Sequence, residues 1–313
     1  MKVFVAGAGG AVGQRLVPAL IRAGHTVGAL TRTEGKRQQL AQAGATVFIA
    51  DALNAGAVRD AVEAFRPEAI VNQLTAIPQQ LDLRHFDRDF ALTNRLRIEG
   101  TDNLIAAGEK VGAVKFIAQS YAGWNYAREG SWVKEETDPL DTDPPRKLRS
   151  SLAAIKHLES AVLSKFSRGG VVLRYGSFYG PGTYLSIGGA VFEAVKKRKL
   201  PIVAGGTGVW SFVHIDDAAT ATVAALGGRP GIYNVADDQP APVNTWILFL
   251  AEVLRAKTPR HIPGWVARPL IGEHGVVMMR DTRGASNEKA RRELGWRPAY
   301  PSWRDGFWRE IYT

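Results

Sequence analysis

The chain of 313 residues contains no cysteine, which excludes disulfides, thiolate nucleophiles, iron–sulfur clusters and cysteine-bound zinc together. That absence suits a reducing compartment, and a cytoplasmic location is the expectation. Long hydrophobic runs are missing as well. Gly, Pro or a charge breaks each apolar stretch before the roughly 18 residues that a spanning helix needs. "MKVFVAGAGG" runs from the first residue to a glycine turn with no room for a signal peptide, so neither a membrane span nor export is expected. Histidine is sparse: His25, His85, His157, His214, His261 and His274 show no metal-ligand spacing, and no metal is expected. No Gly-Lys-Ser/Thr follows the glycine turn and no G-x-S-x-G occurs, which removes a nucleoside triphosphate loop and a serine-hydrolase elbow.

What is present is basic. The formal charge is +10 and the pI about 9.9, but Lys and Arg are scattered. The one compact run, "KKRK" at Lys196–Lys199, closes a predicted helix, where cations complement the dipole. No nucleic-acid motif accompanies it, so the expected partner is a small-molecule substrate, with no nucleic acid and no membrane.

Short apolar runs alternate with amphipathic segments through the first half: "KVFVAG", "TVGALT", "TVFIA", "AIVNQ", "VKFIAQS" and "VVLRY". Near-continuously apolar strands that take turns with helices predict a parallel sheet covered on both faces. The expected fold is α/β, a doubly wound Rossmann-type sheet with a smaller C-terminal substrate-binding lobe. Residues 1–176 are expected to form the dinucleotide-binding domain, with 209–235 returning to it. Residues 177–313, looser and richer in Gly and Pro, mainly form the lobe. Its Trp210, Phe212, Trp246 and Trp265 suit either an aromatic pocket wall or the core of the lobe.

Gly7, Gly10 and Gly13 in "VFVAGAGGAVGQRLV" follow the first strand and open the first helix. That spacing gives a tight turn, close approach of backbone to a pyrophosphate, and close packing of helix on strand. At the end of the second strand an NAD site usually carries a carboxylate for the ribose hydroxyls, whereas a 2′-phosphate needs a cation. "GALTRTEGK" offers Arg32 there, which favours NADP(H); NAD(H) stays open. Asp51, after the third strand, is placed either to reach the adenine or to cap the next helix.

The ordered set "GAGGAVG", "TNRLRIEGTDNLIAAGE", "KFIAQS", "VLRYGSFYGPG", "SFVHIDDAA", "IYNVADD" and "SNEKARRELGW" resembles the extended short-chain dehydrogenase/reductase superfamily, specifically its NAD-dependent epimerase/dehydratase-like group. The resemblance implies that Asn94 belongs to the family's Asn-x-x-Gly-Thr helix. It also implies that Lys156 is the lysine of a Tyr-x-x-x-Lys pair that binds the nicotinamide ribose and lowers the phenol's pKa. Leu152 stands at the tyrosine position, and leucine cannot transfer a proton; Lys156 as a surface residue stays open. A serine or threonine usually follows the fifth strand, where Tyr121 stands with Ser120 before it. Tyr121, Lys156 and Ser120 are therefore the expected catalytic residues, with Tyr121 replacing the lost phenol or serving as an aromatic wall. Tyr175 is expected close to the nicotinamide. Cofactor binding falls to Gly7, Gly10, Gly13, Arg32, Asp51, Asn94, Lys156 and Tyr175.

Three functions are expected: an atypical NADP(H)-dependent reductase of a carbonyl or conjugated double bond, a nucleotide-sugar epimerase or dehydratase, and a cofactor-binding sensor or non-redox catalyst. The resemblance also makes a homodimer an option.

Overall fold

The computed structural model describes residues 1–78, 81–167 and 169–312. Among them seven strands form one parallel sheet: β1 (Lys2–Ala6), β2 (Thr26–Thr31), β3 (Thr46–Ile49), β4 (Ala69–Asn72), β5 (Lys115–Tyr121), β6 (Gly170–Tyr175) and β7 (Gly231–Val235). Their order across the sheet is β7-β6-β5-β4-β1-β2-β3. The chain winds outward from β1 to β3, then returns to the far side of β1 as β4. That reversal opens a crevice at the carboxyl ends of β1 and β4, where sheets of this kind take their ligands.

The strands read as continuously apolar because each face has its own helical layer. In β1, Val3 and Val5 join Leu16, Val17 and Leu20 of the helix Ala11–Arg22 and Ala218 and Ala221 of the helix Ile215–Ala225. Phe4 and Ala6 join Val58 and Val62 of the helix Ala55–Phe65, Leu104 of the helix Thr101–Val111, and Leu158 and Val162 of the helix Arg149–Lys165. Side chains alternate with a period of two, and here both sets are buried.

Residues 209–235 supply β7, paired in parallel with β6, and the helix that packs on Ala11–Arg22. A second return is made by the helix Glu288–Glu293, whose Ala290 joins Trp296 in the same core layer. The lobe has a core of its own, with Tyr179, Phe192, Phe212, Trp246, Trp303 and Phe307 packed together. Phe212 and Trp246 are therefore lobe core, and Trp265 is 80% exposed. These residues do not form a shared aromatic wall. The helix Ile215–Ala225 is capped by His214, whose Nδ1 accepts from the Asp216 amide at 3.2 Å. Asp217 instead accepts from the Ala299 and Tyr300 amides at 2.8 and 2.9 Å and so ties that late loop to the helix. Among the described residues no helix is long and apolar enough to cross a membrane.

Candidate active site

The glycine turn has the mechanical character its spacing suggests. Gly7 adopts φ +83°, and a Cβ on it would lie 2.5 Å from the Gln73 carbonyl oxygen, at the end of β4. A Cβ on Gly13 would lie 2.4 Å from the Gly7 carbonyl oxygen and 2.5 Å from that of Ala8. The Gly10 amide donates to the Gly7 carbonyl at 3.0 Å. The helix Ala11–Arg22 starts from Gly10 with no side chain capping it, so its first amides face the crevice.

Beyond β2, Arg32 is exposed and makes no hydrogen bond or ion pair among the described residues. Glu34, the one carboxylate of "TRTEGK", is engaged by Arg37 through a two-point contact; Arg37 holds it below the usual carboxylate range. Lys36 lies over the turn, its Cγ 3.3 Å from where a Gly9 Cβ would be. Lys36 is a second cation that sequence reasoning missed, and its signal was its place four residues beyond Arg32. Asp51 is exposed, and its Oδ1 accepts from the Leu53 amide at 2.9 Å. The cap of the next helix is Asn54, so capping does not explain Asp51.

Asn94 is 8% exposed; its Nδ2 donates to Ser151 Oγ at 3.0 Å and its Oδ1 has no partner among the described residues. Gln73 likewise keeps an unpartnered, buried Oε1 while its Nε2 donates to the Tyr175 hydroxyl at 3.2 Å. Buried polar atoms are seldom left so. The glycine cradle and these acceptors fit a dinucleotide. Gly7, Gly10, Gly13 and the first helical amides would hold its diphosphate, with Arg32 and Lys36 at the adenosine end. Tyr175 is hydrogen-bonded to Gln73 from within the core. It is 1% exposed and its hydroxyl also meets Thr222 Oγ1 at 2.6 Å, on the layer beneath the sheet; burial pushes its phenol up to about 12.

Three residues before Gly100, where Asn-x-x-Gly-Thr has asparagine, stands Arg97 rather than Asn94. It lies on a π turn, Leu96–Gly100. Its guanidinium is buried with Nη1 unpartnered, and burial, partly countered by Glu159, lowers its pKa to about 10.

The expected catalytic set does not assemble. On the helix Arg149–Lys165 the inner face carries Ser151, Leu152, Ile155, Leu158, Glu159 and Val162, whereas Ala153, Lys156 and Ser160 are exposed. Lys156 Nζ donates to the Asp141 carbonyl at 3.3 Å, and no hydrogen bond joins it to Tyr121 among the described residues. Ser120 turns to the opposite side of β5 from Tyr121 and donates to Glu159 Oε1 at 2.6 Å, inside a buried ion pair with Arg174. Tyr121 ends β5 half-buried, its hydroxyl 3.5 Å from Ser177 Oγ. Burial raises its pKa, with Ser177 pulling weakly the other way.

Around Tyr121 the site is aromatic. Its ring lies 6.0 Å from Trp124, and Trp124 lies 6.0 Å from Phe86 and 6.1 Å from His274. Leu152 and Ile155 pack into the same cluster. The position of the missing phenol is thus closed by apolar side chains, with a histidine from the lobe beside them.

The chain is similar to known proteins over nearly its whole length. The model of the NAD dependent epimerase/dehydratase family matches residues 3–236. A 3-diazoavenalumate denitrifying reductase of a Streptomyces species is 43% identical, over 99% of this chain and 100% of that protein. The UDP-glucose 4-epimerase of Thermus thermophilus, solved with NAD, is 27% identical with a TM-score of 0.74, covering 99% of this chain and 98% of that one. The UDP-glucose 4-epimerase of Thermotoga maritima, solved with UDP-glucose, has a TM-score of 0.78 at 22% identity, covering 99% and 97%. This chain belongs to the NAD-dependent epimerase/dehydratase family and is an NAD(P)-dependent enzyme.

Proposed function

We propose that the chain is an NADPH-dependent reductase of an aromatic acid that carries a strongly electron-poor nitrogen group, a diazonium being the best match. The carrying observation is a dinucleotide cradle after β1 together with an aromatic cluster at the end of β5 in which no proton donor is activated. Leu152 lies among apolar side chains, Lys156 faces outward, and burial raises the pKa of Tyr121. The 43% identical relative, named for reducing a diazo-substituted acid, supports the choice of group.

Bound in the crevice, the reduced nicotinamide supplies a hydride. A carbonyl or conjugated double bond that accepts hydride is left negative and must also take a proton, the task of a general acid worth about 10²–10⁴ in rate. An aryldiazonium already carries the positive charge. With hydride it gives arene and dinitrogen: the carbon–nitrogen bond breaks, a carbon–hydrogen bond forms, and charge balances with no net proton consumed. The residues then need only to hold and orient the ring. Tyr121 and Trp124 flank it, and Leu152 and Ile155 exclude water. An epimerase would need a base to withdraw a hydroxyl proton, which Leu152 cannot provide.

The test is anaerobic incubation with NADPH and 4-carboxybenzenediazonium. Cofactor oxidation matched by benzoate and dinitrogen is expected; oxidation with 4-carboxybenzaldehyde but not the diazonium would overturn the reading. Tyr121→Phe should keep kcat/KM within about tenfold, well short of the general-acid loss. A thousandfold fall would instead identify the phenol as proton donor.

For the cofactor, the exposed Arg32 just beyond β2 and the engagement of Glu34 by Arg37 support a 2′-phosphate there. A hydrogen bond to a charged group contributes about 1.5–3 kcal/mol, or roughly 10–150-fold in affinity. Arg32→Ala should therefore weaken NADPH in a fluorescence titration by that factor and leave NADH within about threefold. Equal weakening of both would remove the argument for NADPH.

A further inference from the structure

His274 is 1% exposed, and neither ring nitrogen has a hydrogen-bond partner among the described residues. It lies on the helix Gly264–Arg280, just after a break at Gly272, where φ is 72° and ψ 172°. That break turns the second half of the helix so that His274 and Met278 reach the cluster at the end of β5. The imidazole meets Phe86 edge-on, 4.4 Å between centroids at 64°, and Trp124 at 6.1 Å and 80°. Trp124 in turn meets Tyr121. A run of ring contacts therefore leads from the strand end beside the cofactor crevice to one imidazole supplied by the other lobe.

A buried polar atom without a partner is destabilising, and His274 carries two. Phenylalanine would pack against Phe86 and Trp124 without that penalty. Burial drives the imidazole pKa down to about 3, so the ring is neutral at physiological pH, with one N–H donor and one bare acceptor. It offers no charge to a carboxylate. It matches a hydroxyl, which can give its proton to the bare nitrogen or accept from the N–H.

We propose that His274 recognises a hydroxyl on the aromatic ring of the substrate and so sets which aryl acids the enzyme takes. The inference rests on the aromatic-acid reading above and adds to it a preference for hydroxylated rings. His274 positions the ring; it does not serve as proton donor.

The experiment titrates the full chain, saturated with NADPH, with 4-hydroxycinnamate and with cinnamate, following tryptophan fluorescence. These acids differ only by the ring hydroxyl. Wild type should bind the hydroxylated acid about tenfold tighter, the value of one good neutral hydrogen bond. His274→Phe should erase that preference and leave cinnamate unchanged, and His274→Asn, which keeps a donor and an acceptor, should restore part of it. Equal binding of the two acids by wild type, binding of neither, or equal weakening of both by His274→Phe would overturn the inference. Because the readout is binding, it separates from the parent reading. Diazonium turnover with no hydroxyl preference defeats the role of His274 alone, and a hydroxyl preference without turnover defeats the reductase.

Discussion

Gly13→Ala should all but abolish cofactor binding, with an affinity loss of about a hundredfold or more for NADPH and NADH alike. The added methyl would meet the Gly7 carbonyl oxygen at 2.4 Å and the Ala8 carbonyl oxygen and carbon at 2.5 and 2.6 Å. All three are backbone atoms, so no side chain can swing aside. The helix Ala11–Arg22 would have to lift from β1, moving away the amides that face the diphosphate. Overpacking in a rigid site costs about 1–3 kcal/mol in stability. Here the same displacement also spoils the anion site, and each 1.4 kcal/mol of lost binding is about tenfold. Gly56→Ala is the control. Its Cβ would approach only Asn54 Oδ1 at 3.4 Å, in the first turn of the helix Ala55–Phe65, and alanine favours a helix by up to about 1 kcal/mol. That variant should bind cofactor as wild type does and melt no lower. Should Gly13→Ala retain full affinity, the glycine turn would not be the diphosphate site.

This part of the molecule was legible because its signals are local. Strand–glycine–helix spacing and the alternation of β and α runs are each contained within a few residues. The catalytic assignments required phase. On a helix each residue turns the side chain by about 100°, and one position separates Ile155, 1% exposed, from the exposed Lys156. The inner-face pairs four residues apart include Ser151 with Ile155, Ile155 with Glu159 and Leu158 with Val162, and none offers the tyrosine–lysine chemistry that the motif implies. In a strand one position reverses the side chain entirely, so Ser120 and Tyr121 could never both face a substrate. The sequence carried that conflict in plain view. Arg97 was visible too, by counting back three residues from Gly100. His274 was not: its approach to Phe86 and Trp124 joins segments far apart in the chain, and no local pattern distinguishes it from the other histidines.

Glu159→Ala should be among the most destabilising single substitutions in the chain, at about 3–5 kcal/mol, the usual consequence of orphaning a buried charge. Arg174 donates Nε to Glu159 Oε1 at 2.8 Å and Nη2 to Oε2 at 2.6 Å, with the two side chains 4% and 6% exposed. Burial works against the guanidinium charge, but the Glu159 carboxylate more than offsets it and raises the pKa above the ordinary arginine value. The pair also organises its surroundings. Ser120 donates to the same carboxylate, Arg174 Nη1 donates to the Tyr126 hydroxyl at 3.1 Å, and that hydroxyl donates to Asn234 Oδ1 at 2.6 Å. Three adjacent strands, β5, β6 and β7, are thereby fixed to the helix Arg149–Lys165 next to the position of Tyr121. Removing the carboxylate strips Arg174 of its ion-pair partner and Arg97 of the charge that partly countered its burial, and the strand end that carries Tyr121 loses its anchor. A denaturant titration should show the midpoint falling in Glu159→Ala and, for the cycle, in the single variants Glu159→Met and Arg174→Met. The double variant Glu159→Met/Arg174→Met should fall by much less than the sum, since an apolar pair of similar volume can replace a buried ion pair at little cost. Strict additivity of the two single effects would show that the carboxylate and guanidinium contribute independently, and the coupling argued from their geometry would be wrong.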